Sequence, residues 1–314
     1  MTNLKKYFHK PEMKNITKGF LAVILSQLCL AIIEVVSIFG YRTGMNSYTL
    51  TTFRMLEVMI LVGLTIFFSK RLSFKIKKRD ILRVLACSLF LALDVLVFWR
   101  GLEVIGNIGI LLSIDYTFPI IVAVLAMILF RESMTIKKVL SMVLGFLGVL
   151  FAIQFLPYGN YTGVSVLGFF FASMAALLWA FYFLALQPLL KKYNRLTILF
   201  YNFAITFLIF LFLQNPIVSF TQLTWRGLGY ISIVAIVSTY LSYFLFLEGI
   251  KRIGAARSSI LCWIKPPISI GLAFLLLHQV FTGWQSLGIA LVIAGGITLS
   301  IDKKNGKKQS IKIK

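Results

Sequence analysis

Charged residues are scarce in this chain of 314 residues, and the acidic ones are scarcest, with ten Asp and Glu against 32 Lys and Arg. Charged residues make up 13% of the sequence and hydrophobic residues 59%, whereas a soluble domain is about 25% charged. So little polar surface cannot cover a water-soluble particle of this length. The composition therefore excludes a soluble globular protein and predicts that most apolar side chains face lipid or other helices.

Several functional motifs are missing as well. The cysteines, Cys29, Cys87 and Cys262, lie inside apolar runs without metal-ligand spacing, and we interpret them as small buried side chains. No Walker-type phosphate loop is present, which argues against ATP-driven transport by this chain alone. His9 and His278 are far apart, and no nucleophile–histidine–acid set accompanies them. The sequence therefore predicts a protein that is not an enzyme and carries neither a metal nor a cofactor.

Apolar runs that are long enough to cross a bilayer follow one another along the chain. A helix needs about 20 residues to span ~30 Å of hydrocarbon. Ten runs meet this length, at roughly 17–40, 48–68, 81–100, 106–130, 136–154, 164–187, 196–213, 227–249, 255–277 and 283–301. The basic segment before the first run resembles a signal anchor. Because that run is too long for a cleaved peptide, we interpret it as the first span.

The basic residues support this count. If the N-terminus is cytoplasmic, 27 of the 32 Lys and Arg lie in or beside cytoplasmic segments, and only Arg42, Arg100 and Arg226 lie at external ones. This alternation follows the positive-inside rule for ten spans with both termini in the cytoplasm. The basic clusters sit between apolar runs and form no groove-sized face, so the net charge of +22 does not indicate nucleic-acid binding.

An internal repeat divides the chain into two halves. A shift of 148 positions aligns them without a gap and matches several residues of the same type, namely Asn46 with Asn194, Gly101 with Gly249, Gly106 with Gly254, Pro119 with Pro267 and Gly148 with Gly296. Each half holds five spans, and because five is odd the second half must be inverted relative to the first. Inverted repeats are typical of secondary transporters.

We therefore predict an all-α integral membrane protein with ten transmembrane helices arranged as two inverted five-helix repeats. A cytoplasmic basic N-tail covers 1–16, the first repeat 17–154 and the second repeat 164–301. A cytoplasmic lysine-rich C-tail covers 302–314 and is expected to lie near anionic lipid headgroups.

Several short motifs occur in a fixed order along these spans. They are Thr52-Phe53-Arg54 in the second span, Pro119 and the closing Phe130-Arg131-Glu132 in the fourth, the glycine-spaced fifth span 138–148, and its echo Gln285-Ser286-Leu287-Gly288 with Gly295-Gly296 in the tenth. With the 5+5 arrangement, the sequence resembles the drug/metabolite transporter superfamily, specifically its EamA-type members, over nearly the whole chain. The resemblance implies secondary transport of metabolites, amino acids or drugs, often outward. One departure is Val280, where the family often has a Glu that matches Glu132.

Half of the acidic residues lie within the predicted spans, where a charge costs at least ~2.5–3.5 kcal/mol at a helix centre. They are Glu34, Glu57, Asp94, Asp115 and Glu248. Acid in such places indicates a polar interior between the helices, because side chains of this kind usually face a cavity or a partner.

Asp115 is the most informative of these acids. It lies four residues before Pro119, which has no N–H, so the Asp115 carbonyl should lose its helical partner. The position is a candidate site for a proton, a cation or a substrate amine, and the alternative is a carboxylate that an internal partner neutralises. Lys265, just before Pro266 and Pro267, is that candidate partner. Otherwise Lys265 binds a substrate carboxylate or phosphate, or has a purely structural role.

Other residues extend this candidate site. Arg54 and Glu57 share a helix face, which favours a local ion pair, with a role in binding or coupling as the alternative. Glu34 and Asp94 are expected in the outer half of the membrane, where they could line a vestibule.

Aromatic residues near these groups are further candidates. Tyr116, Tyr182 and Trp263 could stack on a substrate. Packing and interfacial anchoring are the default role in a chain with 15% aromatic residues.

The sequence thus predicts a secondary transporter, and more specifically an exporter, of a small metabolite, amino acid or drug in a bacterial inner membrane. Its partners would be the small-molecule substrate and membrane lipid, with no nucleic acid, and it would act as a monomer or homodimer. A proton coupled through Asp115 or Glu34 could drive transport, and uncoupled exchange or facilitated diffusion are the alternatives. Two alternatives are a membrane-embedded enzyme that acts on a lipid-linked substrate and a membrane protein that transports nothing.

Overall fold

A computed structural model describes residues 13–69, 72–106, 108–156, 165–213, 221, 223–277 and 282–301. All regular elements in these ranges are helical. The α-helices are α1 (Met13–Tyr41), α2 (Ser47–Phe68), α3 (Ile81–Ile105), α4 (Ile108–Asp115), α5 (Phe118–Phe130), α6 (Ile136–Ala152), α7 (Val166–Leu190), α8 (Arg195–Leu213), α9 (Trp225–Ile233), α10 (Ser242–Ile253), α11 (Ala255–Leu261), α12 (Lys265–Leu277) and α13 (Gly283–Ile301). Two 3₁₀ turns (Lys78–Asp80 and Cys262–Ile264) and a π-helix (Val234–Leu241) adjoin them.

Nine helical stretches in the described ranges are long and apolar enough to cross a membrane. Three of them combine shorter helices: α4 with α5, α9 with α10 through the π-helix, and α11 with α12 through a 3₁₀ turn. The tenth predicted span is α6, whose 17 residues reach about 25 Å at ~1.5 Å per residue. That length is at the short end of what spans a bilayer. The predicted fold of ten transmembrane helices is confirmed. Of the predicted tails at 1–16 and 302–314, residues 13–16 belong to α1 and the others lie outside the described residues.

The caps of the helices repeat at the spacing of the internal alignment. The side chain of Asn46 accepts a hydrogen bond from the backbone N–H three residues on, at 2.8 Å, and so caps α2. The equivalent Asn194 accepts one from the N–H two residues on, at 3.0 Å, at the start of α8. Gly106 ends α3 and Gly254 ends α10, with φ angles of +66° and +84° that favour glycine. The two halves therefore share the same local stop and start signals.

Helix packing follows the same two-fold relation. α1 packs along α10, and the equivalent α7 packs along α3 of the other half. α2 packs on α8, and α6 packs on α13, so each of these pairs joins equivalent helices. Each half thus places its first helix against the third span of the other half. This exchange is what two inverted copies of one unit produce.

Apolar side chains occupy both the interior and the outer surface. Phe183, Phe203 and Phe210 are fully buried among the helices. By contrast, Leu82 and Phe212 are more than three quarters exposed on the outside of the bundle. Because no water-soluble surface is this apolar, the exposed side chains form the face that contacts lipid.

Glycine allows α6 and α13 to approach closely. A Cβ atom built on Gly288 would lie 2.4 Å from the backbone nitrogen of Ala152 and 2.5 Å from the carbonyl oxygen of Gly148. Real Cβ atoms do not come this close, so the two backbones touch only because the side chain is missing.

Replacing Gly288 by alanine should therefore destabilise the protein. The two helices must move apart, and overpacking of this kind costs about 1–3 kcal/mol. Gly296→Ala on the same helix is the matched control, because its new methyl group would meet no atom within 4 Å. Thermal unfolding in detergent measures both variants. Equal melting temperatures for the two would contradict this account of the contact.

Candidate functional site

Two equivalent spans are interrupted half-way through the bundle. In the first repeat, α4 ends at Asp115 and α5 begins at Phe118, with Pro119 in its first turn. In the second repeat, α12 begins at Lys265, with Pro266 and Pro267 in its first turn. Proline is tolerated in a first turn because the N–H there has no helical partner. The three prolines thus lie in the first turns of the half-helices that follow the interruptions.

A hydrogen bond joins the two interruptions. Nε1 of Trp263 donates to the backbone carbonyl of Tyr116 at 3.0 Å. Both side chains are almost fully buried. The carbonyl that receives a new partner at the break is therefore that of Tyr116, one residue after the predicted Asp115. Trp263 and Tyr116 support the break and do not present open aromatic faces.

Lys265 forms an ion pair with Glu34 of α1, at 2.7 Å between Nζ and Oε1. The side chains are 19% and 38% exposed, so the pair is only partly buried. The sequence left a pair between Lys265 and Asp115 as one of several possibilities. The structure assigns Lys265 to Glu34, while Asp115 lies within electrostatic range of the ammonium group.

Asp94 on α3 adds a second carboxylate near Asp115, since the two interact electrostatically. We name the end of the bundle at which α1 stops the Tyr41 end. At ~1.5 Å per residue, Glu34 and Asp115 lie roughly 10 Å from the helix ends on that side, and Lys265 about 18 Å from the end of α12. The structure thus brings Glu34, Asp94, Asp115 and Lys265 together near the middle of the bundle.

Arg54 and Glu57 do not form the predicted ion pair, and that prediction is wrong. Glu57 accepts a hydrogen bond from Ser232 of α9 at 3.1 Å. Nε of Arg54 is buried and has no hydrogen-bond partner in the described part of the chain. Tyr41 and Tyr243 lie within electrostatic range of the guanidinium group.

Asn202 is a polar position that analysis of the motifs missed, although the repeat aligns it with Arg54. It is fully buried, and its Nδ2 donates to Oη of Tyr182 at 3.0 Å. Its Oδ1 accepts from Oγ of Ser88 at 2.9 Å. Tyr182 is also fully buried. Through these bonds Tyr182 takes part in the packing of α7 against α8 and α3.

A cavity of about 280 Å³ opens at the Tyr41 end. Tyr41, Trp99 and Glu103 line it, together with residues at the start of α2. Tyr41, which borders this cavity, also interacts with Arg54.

The opposite end is held by polar bonds around Asp80, and we name it the Asp80 end. The fully buried Asp80 carboxylate accepts hydrogen bonds from Lys192 at 2.8 Å, Tyr193 at 2.9 Å and Arg83 at 3.1 Å. Asp80 precedes α3 of the first repeat, while Lys192 and Tyr193 lie between α7 and α8 of the second. The carboxylate therefore ties the two repeats together.

A second group of bonds at the Asp80 end is built on Glu132. Nε2 of Gln187 donates to Glu132 at 3.2 Å, and Oε1 of Gln187 accepts from the N–H of Ala255 at 3.0 Å. Lys138 forms an ion pair with Glu132 at 3.7 Å. Glu132 thus links the end of α5 to α7 and α11. The equivalent residue, Val280, lies outside the described residues.

Comparisons with known proteins agree with these observations. The chain is 26% identical over 295 residues to the "Uncharacterized transporter YxxF" of Bacillus subtilis, with 91% of each protein covered. It is 28% identical over 204 residues to the "Uncharacterized transporter YyaM" of the same organism, which covers 61% of this chain and 65% of that one. A solved structure with 14% identity has a TM-score of 0.77 over 92% of this chain and 98% of its own, which supports the fold. The model of the EamA-like transporter family matches residues 17–154 and 166–301, so the chain belongs to this family.

Proposed function

We propose that this membrane transporter is a secondary transporter that exports a small metabolite, amino acid or drug by alternating access of its two inverted repeats. The observation that carries the proposal is the group of Glu34, Asp94, Asp115 and Lys265 at the two equivalent helix interruptions. Ionised groups at this depth are expensive and usually mark a pathway. Here they stand where the two repeats meet, which is where inverted-repeat transporters bind substrates.

The contact between the repeats supports alternating access. The Lys265–Glu34 ion pair joins α12 of the second repeat to α1 of the first. Any rocking of one repeat against the other changes this contact and the exposure of Asp115 beside it. A conformational change at the site is therefore coupled to a change in which end is open.

The two ends of the bundle differ. With the Tyr41 end outside, the open cavity is external and the polar bonds of Asp80 and Glu132 close the cytoplasmic side. The structure then corresponds to an outward-facing state, which an exporter passes through when it releases its substrate. The same orientation places the basic connections in the cytoplasm of a bacterial inner membrane, as the positive-inside rule requires.

Proton coupling is assigned to Asp115 in this proposal. Glu34 is already the ion-pair partner of Lys265. Asp115 lies near Lys265 and Asp94 without belonging to that pair. Its charge state is thus the one that a proton or a bound cation can change with the smallest rearrangement.

An untargeted comparison of metabolites tests the function. The medium of cells that produce the protein should be enriched in a small set of compounds relative to cells that lack it. The enriched compound should then exchange, chemically unchanged, across proteoliposomes that contain the purified protein. A compound that is converted on contact with the protein would favour the enzyme alternative. If nothing is enriched and nothing exchanges, the transport proposal fails.

A further inference from the structure

Among the described residues Arg54 has no acidic partner, in contrast to two other cations of the helices. Lys265 pairs with Glu34, and Arg195 pairs with Glu248 at 2.9 Å. The buried Nε of Arg54 has no hydrogen-bond partner in the described part of the chain. A guanidinium group is charged at all physiological pH values, so it cannot lower this cost by losing its proton. An anion from outside the chain would compensate this charge.

The equivalent position in the second repeat shows what a purely structural residue looks like there. Asn202 is neutral, and both ends of its amide are satisfied, by Tyr182 and by Ser88. Glu57, one helical turn after Arg54, accepts a hydrogen bond from Ser232 of another helix and does not pair with the arginine. Packing at this position thus requires no charged side chain, so packing does not explain the positive charge of Arg54 in the first repeat.

The surroundings of Arg54 suit an incoming anion. The residue lies roughly 10 Å below the start of α2 at ~1.5 Å per residue. Tyr41 lies within electrostatic range of Arg54 and also lines the cavity of about 280 Å³ at the Tyr41 end. The hydroxyl group of Tyr243 is the second neighbour. Two tyrosine hydroxyls and a planar guanidinium are donors that match the two oxygens of a carboxylate.

We infer that Arg54 binds a carboxylate of the transported molecule, which makes the substrate a carboxylic acid in its anionic form. This inference rests on the proposed transport function and narrows it. A singly charged anion fits better than a phosphate monoester, because one negative charge compensates the single positive charge of Arg54 and Glu34 already neutralises Lys265.

Protection from arginine modification tests the inference on the wild-type protein. Purified protein in nanodiscs is treated with phenylglyoxal, with benzoate as the carboxylate probe and benzamide as its neutral counterpart. Benzoate well above its dissociation constant should slow modification of Arg54 by about tenfold, and benzamide should not. Arg42 is the internal control, because it is exposed next to Phe39 and should react equally in all samples. Equal protection by both probes, or by neither, overturns the inference.

Variants supply a second measurement on the exported compound. Arg54→Gln should raise its KM for export by about tenfold or more, and Arg54→Lys should recover part of that loss by keeping the charge. Arg42→Gln should leave KM unchanged. Export of a compound without an acidic group, unaffected by Arg54→Gln, would sink the inference and leave the transport proposal standing. Benzoate protection of Arg54 without any export would sink the transport proposal and leave only a carboxylate-binding site at Arg54.

Discussion

Asp115→Asn is expected to lower the rate of substrate export by about 100-fold while the protein remains folded. The change keeps the size of the side chain and removes its charge, and with it the interaction with Lys265 and with a proton or cationic group. Unit charges about 6 Å apart interact by roughly 3 kcal/mol at an effective dielectric constant near 20. A loss of ~2.7 kcal/mol in the transition state corresponds to a factor of about 100 in rate.

The matched control for this variant is Ser113→Ala on the same short helix. The Ser113 hydroxyl donates a hydrogen bond to the carbonyl of Ile110 in its own helix, at 2.6 Å. Loss of this hydroxyl should therefore change export little. Exchange of the identified metabolite in proteoliposomes measures both variants at equal protein content. Wild-type exchange by Asp115→Asn would remove Asp115 from the mechanism.

Lys265→Met is expected to have the second large effect, on both stability and export. It strands the Glu34 carboxylate in the bundle, and breaking a buried pair from one side is strongly destabilising. Because the Glu34 side chain is 38% exposed, water screens the loss, and we expect about 1–2 kcal/mol.

A double-mutant cycle separates the two effects. Adding Glu34→Gln to Lys265→Met removes the stranded charge, so most of the stability should return. Export should stay about 100-fold reduced, because the charges that the substrate cycle needs are still missing. Melting temperature and vesicle exchange are measured for the four proteins of the cycle. Full recovery of export in the double variant would show that the pair is only structural.

The parts of the fold that depend on local chemistry could be predicted from the sequence. Apolar length gave the spans, because hydrocarbon thickness sets a minimum helix length. The alignment of Asn46 with Asn194 and of Gly106 with Gly254 located equivalent helix starts and stops, since capping depends on a few neighbouring residues. Pro119 correctly indicated an interruption in the fourth span, even though it begins the next half-helix.

The choice of partners in the site could not be predicted in the same way. Which acid meets Lys265 depends on how α12 rotates and packs against α1, and nothing local to Lys265 specifies that. Sharing a helix face made Arg54 and Glu57 look like a pair, but Ser232 reaches Glu57 from another helix. Tertiary contacts of this kind override an i,i+3 preference that is worth only about 0.2–0.5 kcal/mol.

The charged groups around Asp80 determine how easily the two repeats can separate at the Asp80 end. Two cationic neighbours of Asp80, Arg79 at 4.0 Å and Arg83 at 3.1 Å, belong to the same repeat as the carboxylate. When Lys192 and Tyr193 move away with the second repeat, the two arginines remain next to the Asp80 carboxylate. Separation of the two repeats then breaks hydrogen bonds that incoming water can replace, and the Asp80 carboxylate is not left without a nearby positive charge. Such a contact can open and close repeatedly, as the proposed alternating access requires.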